Sequence, residues 1–136
     1  MRRGLAIADL GDLFDLPIVA TLATYRRDGT VLLSPVWHEY RESGFSVCTS
    51  AGDVKARHLR HDPRAVLLVA EQAPPYRGLE LSTQVTFTEE DVKQTLRRIA
   101  VRYLGEDAGQ SYALTDDVVV RLEPGQVRAW DFADMG

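Results

Sequence analysis

The sequence predicts a mainly β protein, a small barrel of six to seven mostly antiparallel strands with two helical additions. Short runs of alternating or continuous apolar residues recur along the chain, separated by glycine, proline and aspartate turns. A helical period is sustained in only two internal places, once briefly and once over four turns. A chain of 136 residues points to one domain over 1–136 with a core of its own, and a sheet this small closes on itself to remove its edges.

Residues 5–15 carry a loose helical period (Leu5, Leu10, Leu13, Phe14) that ends before Pro17, which predicts a short N-terminal helix. Ile18–Thr24 reads as a strand, turned by Asp28-Gly29, a strong hairpin signal, into a returning strand Val31–Tyr40. Pro35 inside that strand predicts an edge or a bulge, because proline cannot donate to a ladder. Glu42-Ser43-Gly44 is the next turn and Phe45–Thr49 a third meander strand. A short basic helix follows and stops at Asp62-Pro63; Ala65–Ala70 is then an unbroken apolar strand, expected to be buried on both faces. Leu79–Phe87 alternates clearly. Thr88 is placed as the cap of a helix with Glu89-Glu90-Asp91 in its first turn, running to about Leu104 and ended by Gly105. A loop to Asp117, a strand Val118–Leu122, a turn at Glu123-Pro124-Gly125 and a strand Val127–Phe132 complete the chain.

Composition removes several function classes. With 45% apolar and 26% charged residues the chain reads as an ordinary globular protein, and a net charge of −4 argues against nucleic-acid binding through an overall basic field. Any anion site must come from local charge. Of 16 basic residues only Lys55 and Lys93 are lysines, so a lysine at a turn that could hold phosphate stands out. The single cysteine, Cys48, excludes an internal disulfide and a cysteine-cluster metal site; inside a strand pattern it reads as a small apolar residue. No leader peptide and no membrane span is legible, which makes a cytoplasmic location the expectation.

The stretch Phe45–Leu68 carries the strongest chemical signal. Strand, small-residue turn (Thr49, Ser50, Ala51, Gly52) and helix leave backbone N–H groups free at the positive end of a helix dipole, a natural phosphate site, and Lys55 adds a full charge there. The plain alternative is a surface helix capped by Ser50 or Asp53. Arg57, Arg60, His61 and Arg64 follow at spacings that give one basic face in an acidic protein. His58 and His61 have helical spacing for metal ligands, yet no third or fourth ligand is recognisable, so no metal is expected. His38, next to Trp37, is a candidate proton donor near a ring; its place on the opposite strand face from Trp37 favours a structural role or a subunit contact. Tyr40, Tyr76 and Trp130 are the aromatics placed near a ring system, a subunit interface or the core. No nucleophile–base arrangement is legible, and no catalytic side chain is assigned.

Several motifs, in this order and spacing, resemble the flavin-binding split β-barrels related to pyridoxamine 5′-phosphate oxidase. Ala20–Thr24 with Arg27-Asp28-Gly29 and Ser34-Pro35-Val36-Trp37 is similar to the family's opening hairpin. Lys55–Leu59 with Asp62-Pro63-Arg64 is similar to its phosphate helix. Pro75–Glu80 and Arg102–Gly105 resemble the branch of probable F420-dependent enzymes. The likeness runs from about residue 16 to residue 132.

The resemblance implies a split β-barrel and a homodimer with two cofactor sites at the subunit interface. It further implies hydride transfer through a deazaflavin or flavin, F420 first and FMN second, to an unsaturated small-molecule acceptor. It assigns cofactor contacts to Ser34, Pro35, Val36 and Trp37 along the ring, and to Thr49, Ser50, Lys55, Arg57 and His58 at the phosphate, where the family often has asparagine in place of His58. Tyr76 is counted among the cofactor contacts, near the ring or the interface, and the loop Gly105–Asp116 and the turn Ala73–Arg77 are placed at the acceptor. The C-terminus lacks the residues that recognise pyridoxamine phosphate, so a vitamin B6 oxidase is not expected. A non-catalytic holder of flavin, haem or another planar ligand is the rival reading.

Overall fold

The computed structural model describes residues 1–89, 91–113 and 117–135. Among these residues nine strands, β1 (Arg2–Arg3), β2 (Ala20–Tyr25), β3 (Val31–Val36), β4 (Glu39–Arg41), β5 (Gly44–Ser50), β6 (Arg64–Ala70), β7 (Gly78–Thr88), β8 (Asp117–Leu122) and β9 (Gln126–Asp131), form one antiparallel sheet. Among the described residues there are three α-helices: α1 (Val54–His61) and α2 (Val92–Leu104) pack on the sheet, and α3 (Glu106–Ser111) packs on α2. The order β3-β2-β6-β7-β8-β5-β4, with β9 beside β7, makes β7 the shared strand. Residues 78–84 of β7 pair with β6, and residues 85–88 pair with β8. The sheet divides there into two halves that curl over one core, in which Val36 of β3 and Phe45 and Val47 of β5 meet Leu67 and Leu79. The fold is a split β-barrel with helical additions.

Local chemistry explains the elements that the sequence predicts well. The hairpin turn is closed by Asp28, whose Oδ1 accepts from the Thr30 N–H at 3.0 Å and the Thr30 hydroxyl at 2.6 Å. Pro35 sits on β3, an outermost strand of the sheet, as its missing N–H requires. Leu79, Leu81 and Val85 point inward from β7 and are buried.

Five expectations are corrected. The N-terminal helix is two 3₁₀ turns, Ile7–Leu10 and Leu13–Asp15, separated by Gly11 at φ 59°. The strand over Val31–Tyr40 is interrupted at Trp37-His38, so β3 pairs with β2 while β4 pairs with β5 at the other end of the sheet. The meander of three strands therefore does not form. Strand β6 alternates instead of being buried on both faces: Ala65, Leu67 and Val69 face the core, while Leu68 is 37% exposed. Helix α2 begins at Val92 with Asp91 as its cap, because β7 runs through Thr88 to pair with β8; Glu90 lies outside the described residues. The loop after Gly105 contains α3; its last part, residues 114–116, lies outside them too.

The outer face of β3, β2 and β6 is apolar. Leu33 stands in register with Ala23 and Val66, and Pro35 with Thr21 and Leu68, so these side chains share one face. Leu33 is 65% exposed, and Val31 and Leu68 are exposed beside it. Among the described residues no helix is long and apolar enough to cross a membrane.

Candidate functional site

The site is built at the interruption between β3 and β4. Trp37 stacks on Tyr103 of α2 with ring centroids 4.9 Å apart and planes 7° from parallel. The next residue, His38, is fully buried. The Tyr103 hydroxyl donates to the Ile18 carbonyl at 2.6 Å, accepts from the His38 N–H at 3.3 Å and lies 3.0 Å from His38 Nδ1. With the hydroxyl proton committed to Ile18, Nδ1 is the protonated nitrogen, and the buried Nε2 has no partner among the described residues. Burial first, and the Arg102 charge second, push the His38 imidazole down to about 3, so it is neutral at ordinary pH. Arg102 also donates to the His38 carbonyl, and Arg98 donates to Glu39 Oε1 at 2.9 Å. These contacts lock α2 across the interruption. Within this chain His38 ties the strand interruption to α2.

Locking α2 there opens a cleft of about 200 Å³. Pro35, Val36 and Trp37 of the β3 end form one wall, and Leu96 and Ile99 of α2 face them. Cys48 of β5 and Lys55 of α1 line it as well, and Tyr112, just after α3, stands at Trp37 with centroids 5.4 Å apart. The expected ring strand and the expected phosphate lysine thus border one cavity.

At the start of α1 the cap residue Asp53 makes no side-chain bond to the helix backbone. Its Oδ2 instead accepts from Lys55 Nζ at 2.9 Å and from the Thr49 hydroxyl at 3.4 Å. The Lys55 contact, with lesser contributions around it, holds the Asp53 carboxyl below its usual range. The Asp53 side chain therefore does not cap the first turn, and the Lys55 charge is already shared with its carboxylate. An anion here would gain the helix dipole and compete with Asp53 for the lysine.

The other predicted residues are distributed as follows. Ser34 pairs with Leu22 within the β2–β3 ladder and is not part of the cleft wall. Thr49 is buried, and the Ser50 carbonyl accepts the Asp53 N–H at 3.0 Å. Arg57 is exposed on α1. His58 is turned to β2, its Nδ1 3.1 Å from the Thr24 hydroxyl. Tyr76 lies apart from the cleft in this chain, on the β6–β7 turn edge-on to Phe132. Its neighbour Arg77 is held by Glu71 at 2.8 Å and Asp12 at 2.5 Å, and tethers the N-terminal turns. The basic face is shorter than its sequence spacing implies, because α1 ends at His61 and Arg64 belongs to β6, paired with Asp62. Tyr40 packs in the core on Phe14 and Phe45, and Trp130 covers Gly78.

Sequence reasoning missed Cys48, Leu96, Ile99 and Tyr112 as cleft residues. Leu96 and Ile99 belong to the apolar stripe of α2, which looks the same whether it covers a core or a cavity. For Cys48 the signal was its strand phase: it shares the outward face of β5 with Ser46 and Ser50. Burial, ahead of the nearby Asp117 and Glu39 charges, pushes its thiol up to about 12, so it is unreactive. Among the described residues no group of three or more metal-ligating side chains occurs.

A second cleft, of about 240 Å³, lies between β4, β5, β8 and α2. It is lined by Arg41, Arg98 and Arg121 with Glu39, Glu42 and Asp91. Its charges balance in sign, and Arg98 and Arg121 are engaged by Glu39 and Glu123, which leaves little net field for a ligand.

The sequence pattern described as pyridoxamine 5′-phosphate oxidase matches residues 9–131. No curated protein matches the chain. Among solved structures, a conserved hypothetical protein from Mycobacterium tuberculosis is 24% identical with a TM-score of 0.77, over 97% of this chain and 88% of that one. An F420 reductase is 21% identical with a TM-score of 0.71, over 85% of this chain and 93% of its own. A haem-storage protein from Vibrio cholerae is 20% identical with a TM-score of 0.71, over 92% and 94%. These likenesses concern the fold. The family match, spanning nearly the whole chain with the split barrel that the sequence led us to expect, means that this protein belongs to the pyridoxamine 5′-phosphate oxidase family.

Proposed function

We propose that the protein is an oxidoreductase that takes reduced F420 and passes hydride to an unsaturated small molecule. The observation that carries this reading is the joining of Lys55, at a helix start without a side-chain cap, to Pro35-Val36-Trp37 in one cleft. The donor set fits such a group: a cation and backbone N–H groups for a phosphate, and Val36, Trp37, Leu96 and Ile99 for an apolar ring face. Arg57, Arg60 and His61 further along α1 suit the acidic tail that distinguishes F420 from FMN.

When bound, reduced deazaflavin supplies two electrons and a proton as hydride; solvent supplies the second proton that completes reduction of the acceptor double bond. The chain's part is to hold the phosphate at Lys55, to orient the ring beside Trp37 and to exclude water with Leu96 and Ile99. A cleft of about 200 Å³ is smaller than a usual ligand pocket of roughly 300–1,000 Å³. Pro35 borders both this cleft and the exposed apolar face with Leu33 and Leu68, which supports a homodimer whose second subunit completes the cavity.

The experiment is titration of purified protein and of Lys55→Ala with F420 and with FMN. Micromolar F420 binding, weakened about tenfold or more in Lys55→Ala, is expected from loss of one charge-assisted contact. Tight co-purification of FMN with no F420 binding would sink the F420 reading, and unchanged affinity in Lys55→Ala would move the phosphate elsewhere. A non-catalytic holder of a planar ligand is the second reading, favoured by a lining that, among the described residues, holds neither carboxylate nor imidazole. Turnover of any acceptor with reduced cofactor counts against it.

A further inference from the structure

Helix α3 is short and contains a glycine, and its interior glycine has a reason. A Cβ on Gly109 would lie within 2.5 Å of the Val101 backbone nitrogen and 2.8 Å from the Ala100 carbonyl carbon, so the two helix backbones touch at this point. A glycine costs a helix about 1 kcal/mol relative to alanine, and a close backbone approach is what it makes possible. The seat fixes where the chain goes next. Tyr112 closes α3, its N–H bonded to the Gly109 carbonyl at 3.2 Å, and its ring comes to rest on Trp37 at the cleft.

The spacing of those rings limits what can enter. Trp37 already has Tyr103 stacked in parallel, and Tyr112 meets it at 5.4 Å with planes 45° apart. A flat ligand between two rings needs van der Waals contact on both sides, about 3.5 Å each and about 7 Å in all. The wedge between Trp37 and Tyr112 is narrower than this. A planar guest enters between Trp37 and Tyr112 only if the Tyr112 ring moves aside, and the seat of α3 sets the backbone position from which that ring projects.

We propose that α3 is a seated gate: Gly109 docks it on α2, and Tyr112 thereby decides which flat acceptors reach the cleft beside Trp37. This rests on reading that cleft as the cofactor site. Tyr112 is assigned to acceptor selection and Gly109 to positioning; the cofactor's anchor remains Lys55.

The test reads Trp37 fluorescence in a Trp130→Phe background, with acrylamide as a small quencher and nicotinamide as a flat aromatic one. Tyr112→Ala, which alters a partly exposed ring, is the primary variant; Gly109→Ala, which lifts the seat, is the second; circular dichroism checks that both fold. Both variants are expected to raise the nicotinamide quenching constant about twofold or more, and the acrylamide constant less, while Tyr112→Phe, which keeps the ring, behaves as the parent. Unchanged quenching in Tyr112→Ala overturns the gate. So does a tenfold or greater loss of F420 affinity in Tyr112→Ala, which would make the ring a cofactor contact. Gated quenching in a protein that binds neither F420 nor FMN would sink the proposed function and leave the gate standing, so the two failures are distinguishable.

Discussion

Replacing His38 by asparagine should make the fold less sensitive to mild acid, and the size of the effect can be worked out. The imidazole is fully buried between Phe14, Phe45 and Tyr103, with Nε2 unpartnered, and is held down to about 3. In the unfolded chain a histidine titrates near 6.5. Above that value both states carry a neutral ring and His38 costs nothing. As pH falls below it, the unfolded state takes up a proton that the folded state refuses, and stability falls by about 1.4 kcal/mol per pH unit until about 3. At about pH 5 the loss is RT ln(1 + 10^1.5), about 2 kcal/mol. His38→Asn keeps a polar atom near the Nδ1 position for the Tyr103 hydroxyl and removes the titration. His58 and His61 remain in both proteins and cancel. Urea unfolding at about pH 7.5 and about pH 5 gives the comparison, with the wild type losing about 2 kcal/mol more than the variant. Equal losses would mean that the folded protein protonates His38 readily, and the burial argument would fail.

Two further outcomes follow from the same geometry. Asp53→Asn removes the carboxylate that occupies Lys55 and keeps a side-chain oxygen at the cap position, so affinity for a phosphate-bearing cofactor should rise about threefold to tenfold in equilibrium titration; a fall would show that Asp53 serves the ligand. Leu33→Lys places a charge on the exposed outer face and should shift a micromolar sample from dimer to monomer in sedimentation, with the wild type sedimenting as a dimer; a monomeric wild type would remove the second subunit from the site.

What was legible in the sequence was what neighbours in the chain decide. The Asp28-Gly29 turn, the alternation Leu79–Phe87 and the succession of β5, small-residue turn, α1 and Pro63 each depend on residues within a few positions, and each stands where the sequence put it. The interruption of β3–β4 at Trp37-His38 was not legible, because its cause is Tyr103, 65 residues further on, whose hydroxyl takes the backbone N–H that a continuous strand would have paired. The start of α2 was misplaced for a related reason: Thr88 has the residue type of a cap, but pairing of β7 with β8 keeps it extended. The site divides along the same line. Lys55 could be picked out from its local turn and Pro35-Val36-Trp37 through the resemblance to the family, whereas the opposing wall could not, since a stripe such as Leu96 and Ile99 carries no mark of whether it meets side chains or a cavity. Tyr112 shows how the two kinds of information combine. Its place in the cleft is set by Gly109 touching the backbone of α2, a contact between helices only a few residues apart, yet its consequence appears only when Trp37, far back in the chain, has been brought beneath it. In this chain the glycine inside a short helix is a local signal with a distant meaning: it is where α3 sits closely enough on α2 to place the aromatic residue that follows at Trp37.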